Sequence, residues 1–395
     1  MFHKGGWPSL KVNRPLALSA VLAVLTIPVF ASSAWPFSAK QLTARAAFLM
    51  NAATGAVLFQ RNAELGLPPA STTKVVTALV ALEHKQLHDH LPVSRSASEV
   101  TSLKLGLRPG QTMSVQDLLY SALLYSANDA SVVLAEGIGK SVEGFAEMMT
   151  QKARQLGAEN SHFTNPHGLT APGHYSTAKD LALIFNHAMK IPAFRTIVQT
   201  KWKKVDLFAA GKMKRVKTLP LRNKNRLLWN YKGAIGGKTG YTRAARRCFV
   251  GAATRDGVTL VVSVLGSRNL WRDTVRLFEY GFKKVQDINS SVAFMVQIAS
   301  FRDEERAKSL RNKIAKGGYK TSVHRFNPQN GDTAYRVRIG PYTQWIHAKK
   351  VARKLEHKRG MKPMIFLTSP PTEQVNHNGE HANDVRLEKA HLLRK

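Results

Sequence analysis

Two hairpin signals stand far apart in the sequence, with helical patterning between them. Residues 46–50 and 56–60 are short β-rich runs joined by Asn51-Ala52-Ala53-Thr54-Gly55. Residues 247–254 and 258–265 are β-rich runs joined through Asp256-Gly257, a dipeptide that favours the tight turns of antiparallel strands. Between them, 71–83, 115–124, about 130–137 and 178–190 read as helices, and 272–284 as a closing amphipathic helix. Early strands, central helices and late strands point to an α+β architecture: helices packed on an antiparallel sheet whose strands come from both ends of the domain.

The pattern restarts around Asp287-Ile288-Asn289-Ser290-Ser291. A strand at 292–301 is followed by a helix at 303–316 with Ala307, Leu310 and Ile314 on one face, then a strand pair at 321–326 and 333–339. A helix carrying Trp345, Ala348, Val351, Ala352 and Leu355 at helical spacing and a strand at 364–367 complete a βαββαβ order, a small α+β module of its own. From Thr368 onward the chain is polar and rich in His, Asn and Glu, a composition expected to stay disordered.

Charge narrows the partners. The 395 residues include 59 Lys or Arg and 25 Asp or Glu, a formal net charge of +34. Such a field favours polyanions: nucleic acid, an anionic membrane or an acidic polymer such as a cell wall. The N-terminus chooses among them. Lys4, Lys11 and Arg14 precede an uncharged apolar run over 16–30, then Ala31-Ser32-Ser33-Ala34, the arrangement of a secretory signal peptide cleaved after Ala31 or Ala34. Pro28 interrupts a run already shorter than the ~20 apolar residues of a membrane span. The expectation is a periplasmic or otherwise extracytoplasmic protein with no nucleic-acid partner and no stable membrane anchor after cleavage. The single cysteine, Cys248, excludes an intramolecular disulfide or a multi-cysteine metal site and reads as a small buried hydrophobe in a strand. The histidines form no HExxH-like pair, so no metal and no cofactor is expected.

Three short motifs carry chemistry in combination. Ser71-Thr72-Thr73-Lys74 opens a helix, so Ser71 and Lys74 share a face. A serine hydroxyl is a weak nucleophile without an adjacent base. A lysine supplies one when burial and neighbouring cations depress its pKa. Ser126-Ala127-Asn128 falls between two helical runs, where a turn presents both side chains to a cleft. Lys238-Thr239-Gly240 stands where the late strands begin; its Lys and Thr offer donors to an anion, and its Gly lets a substrate backbone approach. Singly, each motif reads more readily as a chance tetrad, loop filler or strand end than as a site. In this order, spaced by some 50 and then some 110 residues, they form one constellation.

These motifs are those of penicillin-binding proteins and class A β-lactamases. From about 46 to 284 the chain resembles the low-molecular-mass D-alanyl-D-alanine carboxypeptidases, serine peptidase family S11. Asn165-Pro166-His167-Gly168-Leu169, His174-Tyr175-Ser176-Thr177-Ala178, Asn223-Lys224-Asn225-Arg226-Leu227-Leu228 and Lys238-Thr239-Gly240-Tyr241-Thr242 extend the likeness beyond the triad. The resemblance implies a serine β-lactamase/penicillin-binding-protein-like fold and acyl transfer. Ser71 attacks the carbonyl between two terminal D-alanines with Lys74 as base, the last D-alanine leaves, and water hydrolyses the acyl-enzyme. By the same resemblance Ser126 relays the proton to the leaving amine and Asn128 positions Lys74 and the substrate amide. Lys238 and Thr239 face the terminal carboxylate with help from Arg272, for which Arg268 is a rival. The backbone N–H groups of Ser71 and Tyr241 form the oxyanion hole, and β-lactam antibiotics become covalent inhibitors.

The chain departs from the family at Ala245-Arg246-Arg247, where Ala-Gly is common, and 368–395 shows no apolar stripe of the kind that anchors better-known members. A class A β-lactamase needs an E-x-x-x-N glutamate between the last two motifs. Glu136, Glu143, Glu147 and Glu159 all lack an Asn four residues on. A β-lactamase or a D,D-endopeptidase of the same fold is the lesser reading, and a catalytically silent peptidoglycan-binding protein is the reading from another class.

The second module resembles the SPOR domain, which binds septal peptidoglycan, through Val296-Gln297-Ile298-Ala299-Ser300-Phe301 and Tyr335-Arg336-Val337-Arg338-Ile339-Gly340-Pro341-Tyr342. Tyr335, Val337 and Ile339 alternate with Arg336 and Arg338, giving one basic sheet face. The resemblance implies that Gln297 and Ser300 hydrogen-bond glycan while Arg336 meets its carboxylates. The expected division is a signal peptide at 1–34, a carboxypeptidase domain at 35–286, a SPOR domain at 291–368 and a polar tail at 369–395. The expected partners are peptidoglycan stem peptides and glycan strands.

Overall fold

The computed structural model describes residues 41–209, 214–291, 293–327, 332–359 and 361–368. The expected signal segment and polar tail lie outside the described residues. β1 (Ala46–Asn51) and β2 (Val57–Arg61) form the first hairpin, and a 3-10 turn at Ala70–Thr73 leads into α1 (Lys74–His84). Then come β3 (His90–Pro92), α2 (Arg95–Glu99), β4 (Gln111–Ser114), α3 (Val115–Tyr120), α4 (Asn128–Gly139), α5 (Val142–Gln155), α6 (Ala178–Ala188) and α7 (Pro192–Gln199). A second hairpin of β5 (Trp202–Ala209) and β6 (Arg215–Arg222) and the short α8 (Leu227–Asn230) precede β7 (Ala234–Thr242), β8 (Arg246–Arg255), β9 (Val258–Ser267) and α9 (Leu270–Ser291). The last module is β10 (Ala293–Phe301), α10 (Glu304–Ala315), β11 (Thr321–Phe326), β12 (Ala334–Tyr342), α11 (Trp345–Arg359) and β13 (Met364–Thr368).

The main sheet joins both ends of the domain. Its order is β2-β1-β9-β8-β7, and β1 pairs antiparallel with β9 from Ala46↔Leu265 to Asn51↔Leu260. β8 and β9 are buried almost without interruption because α9 packs against both and α6 packs against them as well. A strand covered on both faces reads as a continuous apolar run rather than an alternation. Cys248 lies within β8, fully buried, opposite Gly240 of β7. Burial pushes its thiol up to about 12. Under the sheet, α1 is apolar around most of its girth and buried from Lys74 to Ala81; Val75, Val76 and Leu79 meet Leu118, Leu134 and Phe185 in one core.

Three regions differ from the sequence expectation. No strand is expected above for 201–226, a stretch with ten Lys or Arg, yet it contains the hairpin β5–β6 of a second sheet, order β3-β4-β5-β6. Its inward residues Val205, Leu207 and Leu221 are buried, while Lys203 keeps its ammonium over the Tyr120 ring at 5.0 Å. Helices α5 and α7 were not anticipated; α5 is held by Phe145, Met149 and Ala153 on one face. The expected break at 287–291 is helical, since α9 runs on to Ser291. No Gly or Pro interrupts 282–291, so the helix continues past its aromatic anchor, where Tyr231 stacks on Phe278 and Phe278 on Phe282.

The C-terminal module keeps the βαββαβ order, with sheet order β11-β12-β10-β13. Val296, Ile298, Val337 and Ile339 pack with Ala307 and Ile314 of α10 and Ala348 and Leu355 of α11 in a core of their own. The other sheet face carries the arginines. The Arg336 guanidinium lies 3.4 Å from the centre of the Phe326 ring, and that of Arg338 4.3 Å from the centre of Phe366. Arg336 is half-buried, Arg338 buried, Gln297 half-buried and Ser300 exposed.

Candidate active site

Ser71 belongs to the 3-10 turn that enters α1, and that turn is pressed against β7. A β-carbon on Gly240 would come within 2.8 Å of the Ser71 backbone nitrogen and 3.0 Å of the Ala70 Cβ, so only glycine allows this approach. The Ser71 N–H is thereby set beside the backbone that leads to Tyr241. Ala70 itself has a φ of 49°, an uncommon conformation for a residue with a side chain and one that recurs at functional sites.

Lys74, one helical turn on, is fully buried. Its Nζ lies 3.0 Å from Ser71 Oγ, 2.8 Å from Asn128 Oδ1 and 2.7 Å from the carbonyl oxygen of His167. Burial holds its pKa well below the ordinary ammonium range, the nearby Lys238 pushes it further down, and Asp129 opposes both. A neutral amine has two N–H donors and one lone pair. The amide and backbone oxygens can only accept, so they take both donors. The lone pair is left for Ser71, whose O–H then donates to nitrogen. The arrangement is that of a hydroxyl poised to lose its proton to an amine.

Asn128 is fixed in turn by donating from Nδ2 to the Thr101 carbonyl at 3.1 Å. It is the first residue of α4, not part of a turn, because Ser121–Tyr125 form a π turn that delays the helix start. Ser126 follows that turn with φ 74°. Its Oγ accepts from Lys238 Nζ at 2.9 Å, and Lys238 also donates to the Thr239 carbonyl at 2.8 Å. Lys238 is buried, and desolvation, with Lys224 adding repulsion, lowers its pKa to about 7.

A loop from 164 to 175 closes over α1. Thr77 Oγ donates to the Pro166 carbonyl at 2.6 Å while Lys74 takes the next carbonyl, that of His167. Asn165 Oδ1 accepts the Gly168 N–H at 2.7 Å, and Asn165 Nδ2 donates to the Leu169 carbonyl at 3.0 Å. His174 Nδ1 accepts the Thr164 N–H at 3.0 Å, which leaves the proton on Nε2 to be donated to Thr73 Oγ at 3.0 Å. Burial lowers His174 to about 4, with His162 contributing, and lowers His167 to about 3, with Lys74 and then His174 contributing.

The resulting cleft has a volume of about 640 Å³ and is lined by Ser71, Ser126, Asn128, Thr239, Gly240 and Tyr241, among others. Its outer wall is cationic, with Lys224, Arg226, Arg247 and Arg268. Arg272 is not among the lining residues. It is exposed on the first turn of α9, whose inward residue there is Asp273, which accepts from Thr43 and Ser267. The rival Arg268 occupies the wall instead, its carbonyl accepting from Arg247 Nη1 at 2.9 Å. Thr239 is half-buried and Tyr241 67% exposed.

Asp129 escaped the sequence reading. Its Oδ2 accepts the N–H groups of Leu105, Gly106 and Leu107 at 2.9, 2.9 and 3.2 Å, tying the 101–107 segment beside the cleft to α4. An acid at the head of the otherwise uncharged run Ala130–Ala135 was the available signal.

The Ser–Lys pair on this scaffold is a candidate serine acyl-transfer site, and the scaffold is of the penicillin-binding type. The model of the D-alanyl-D-alanine carboxypeptidase family, Peptidase S11, matches residues 33–269, and that of the SPOR domain matches 290–366. The chain belongs to the S11 D-alanyl-D-alanine carboxypeptidase family and carries a C-terminal SPOR domain. It is 38% identical to the D-alanyl-D-alanine carboxypeptidase DacB2 of Mycobacterium tuberculosis, over 58% of this chain and 79% of that protein. It is 32% identical to the D-alanyl-D-alanine endopeptidase of Pseudomonas aeruginosa, over 67% of this chain and 87% of that protein. The crystal structure of the Streptomyces K15 DD-transpeptidase superposes with a TM-score of 0.59 at 32% identity, covering 62% of this chain and all of that one.

Proposed function

We propose that the protein is an exported serine D,D-carboxypeptidase that removes the terminal D-alanine of peptidoglycan pentapeptides through an acyl-enzyme on Ser71. The observation that carries this reading is the buried Lys74 amine, 3.0 Å from Ser71 Oγ with two acceptor-only partners. In the acylation step the Ser71 proton passes to Lys74 Nζ as Oγ bonds to the penultimate D-alanine carbonyl. The Ser71 and Tyr241 N–H groups receive the oxyanion, each donor worth about 3 kcal/mol. As the C–N bond breaks, the amine leaves with a proton delivered through Ser126, and D-alanine departs. Water then adds to the ester carbon as its proton passes to Lys74 Nζ, the C–Oγ bond breaks, and Lys74 returns that proton to Ser71 Oγ as the shortened peptide leaves.

The cationic wall supports carboxypeptidase over endopeptidase action. A leaving D-alanine carries a free carboxylate, which Thr239, Arg247 and Arg268 of the cleft lining are suited to meet, with the buried Lys238 next to them donating to Ser126. A β-lactam presents a comparable carboxylate and acylates the same serine. The SPOR module supports a second assignment. Arg336 and Arg338, laid on Phe326 and Phe366, and Gln297 and Ser300 offer cations, ring faces and hydrogen-bonding groups to a glycan strand at the septum. The signal-like segment 1–34 supports export. Release of D-alanine from a soluble pentapeptide, present in wild type and absent in Ser71→Ala, tests the activity; release that persists in the variant refutes the assignment of the nucleophile.

A further inference from the structure

The hairpin of β5 and β6 carries more positive charge than the chemistry of the cleft uses. Residues 201–226 hold ten Lys or Arg and one acid, Asp206. On the outer face of the hairpin Trp202 stands opposite Arg222 and is 59% exposed. The Arg222 guanidinium lies 5.3 Å from the centre of the Trp202 ring and 5.2 Å from that of Trp229, shared between two indoles. Lys201 adds its ammonium over Trp229 at 5.9 Å.

The chain beyond Arg222 is forced to alternate. Asn223 Nδ2 donates to the carbonyls of Val198 and Thr200, and Asn223 Oδ1 accepts the Asn225 N–H. Asn225 Oδ1 accepts the Leu227 N–H in the same way. With both asparagines buried, Arg222, Lys224 and Arg226 are exposed, and the last two line the catalytic cleft. Cations therefore run without a break from the cleft wall to the indole pair.

We propose that Trp202, Arg222 and Trp229 form a saccharide platform that seats the glycan strand whose stem peptide occupies the cleft. The proposal rests on the reading of the substrate as peptidoglycan. Indoles offer flat, rigid apolar faces on which the C–H faces of pyranose rings stack. The carboxylates of lactyl ethers and stem peptides find Lys224 and Arg226 alongside. A lipid surface would call for apolar side chains projecting as a wedge. Here charged and hydrogen-bonded groups interrupt the apolar ones: Lys204 is exposed opposite Pro220, and Thr218, between Pro220 and the exposed Val216, is hydrogen-bonded to Asp206.

The test compares full-length wild type with Trp202→Ala on a soluble pentapeptide and on un-cross-linked glycan chains bearing that pentapeptide. D-Alanine release from the free peptide should stay within about twofold of wild type. On the glycan-borne peptide kcat/KM should fall about three- to tenfold, the loss of one stacking contact, and Trp202→Tyr should recover most of it. Equal rates for wild type and Trp202→Ala on both substrates overturn the platform. If wild type releases D-alanine from neither substrate, the carboxypeptidase reading fails instead. Affinity for the glycan chains then decides, and equal affinity of the two proteins overturns the platform. Weakened binding of Trp202→Ala to phosphatidylglycerol vesicles, with glycan rates unchanged, also overturns it and assigns the face to a membrane.

Discussion

A β-carbon on Gly168 would overlap the carbonyl of Ala70, the residue that enters the turn bearing Ser71. Gly168 also has φ +85°, where an L side chain is strained. Its neighbour His167 supplies a carbonyl to Lys74, so the loop and the turn bearing Ser71 are one packed unit. Gly168→Ala should lose more than about 1 kcal/mol of stability, measured by urea unfolding, and should slow acylation by a fluorescent penicillin. A variant with wild-type stability and labelling would show that the loop gives way without disturbing Ser71.

Lys74→Arg tests the base directly. Arginine matches the protonated lysine but does not deprotonate in proteins, so acylation should fall by orders of magnitude, read as the rate of covalent penicillin labelling. Near-normal labelling would reduce Lys74 to an electrostatic role.

Two buried lysines with lowered pKa values imply a pH profile of definite shape. In the proposed mechanism Lys74 acts as the free amine, so the rate should fall as pH drops through its depressed pKa. In the same proposed mechanism Lys238 meets the carboxylate as a cation, and the free enzyme loses that cation as pH rises through about 7. The profile of kcat/KM, which reports the free enzyme, should be bell-shaped with an alkaline limb near 7. A rate still climbing at pH 9 would remove Lys238 from that role.

His167 and His174 set a stability slope. Both are neutral in the fold with pKa values lowered to about 3 and about 4, against about 6.5 when unfolded. As pH falls below 6.5 the unfolded chain takes up protons that the folded one refuses, so stability declines toward pH 4 at up to about 1.4 kcal/mol per unit for each histidine. Above 6.5 these residues contribute no slope. Urea midpoints between pH 7.5 and 4.5 measure this, and His174→Gln should flatten the decline. An unchanged slope in that variant would assign the acid sensitivity elsewhere.

For the SPOR module, Arg336→Ala should weaken binding to purified sacculi by roughly tenfold to a hundredfold, the worth of a charge-assisted contact at about 1.5–3 kcal/mol. The fragment 291–368, which has a core of its own, should sediment with sacculi and gather at midcell when exported as a fluorescent fusion. Even distribution of the fragment would separate this module from septal targeting.

The Ser71–Lys74 pair was legible because three residues of helix bring the two together without help from the rest of the chain. The sheet joining both ends was legible from its two turns. What escaped was decided at a distance. Arg272 and Arg268 lie four residues apart, and which one meets the cleft depends on where α9 begins and on Asp273 turning inward to Thr43 and Ser267. The hairpin of β5 and β6 was hidden because Lys203 fills an inward position, admissible only with the Tyr120 ring beneath its ammonium. The motifs around Asn165 and His174 were visible as words, yet their work, holding two successive carbonyls over Thr77 and Lys74, is tertiary.

Cys248 sits in the strand paired with the one that carries Lys238, Thr239 and Gly240, its sulfur donating to the Ala245 carbonyl at 3.5 Å. With no exposed surface and a thiol pushed up to about 12, it offers neither thiolate nor access to an alkylating or oxidising reagent. The chain's only cysteine is thus chemically silent in the folded state. A cysteine introduced anywhere on the surface becomes a unique attachment point, so fluorophores or cross-linkers can be placed around the cleft without first removing the native residue.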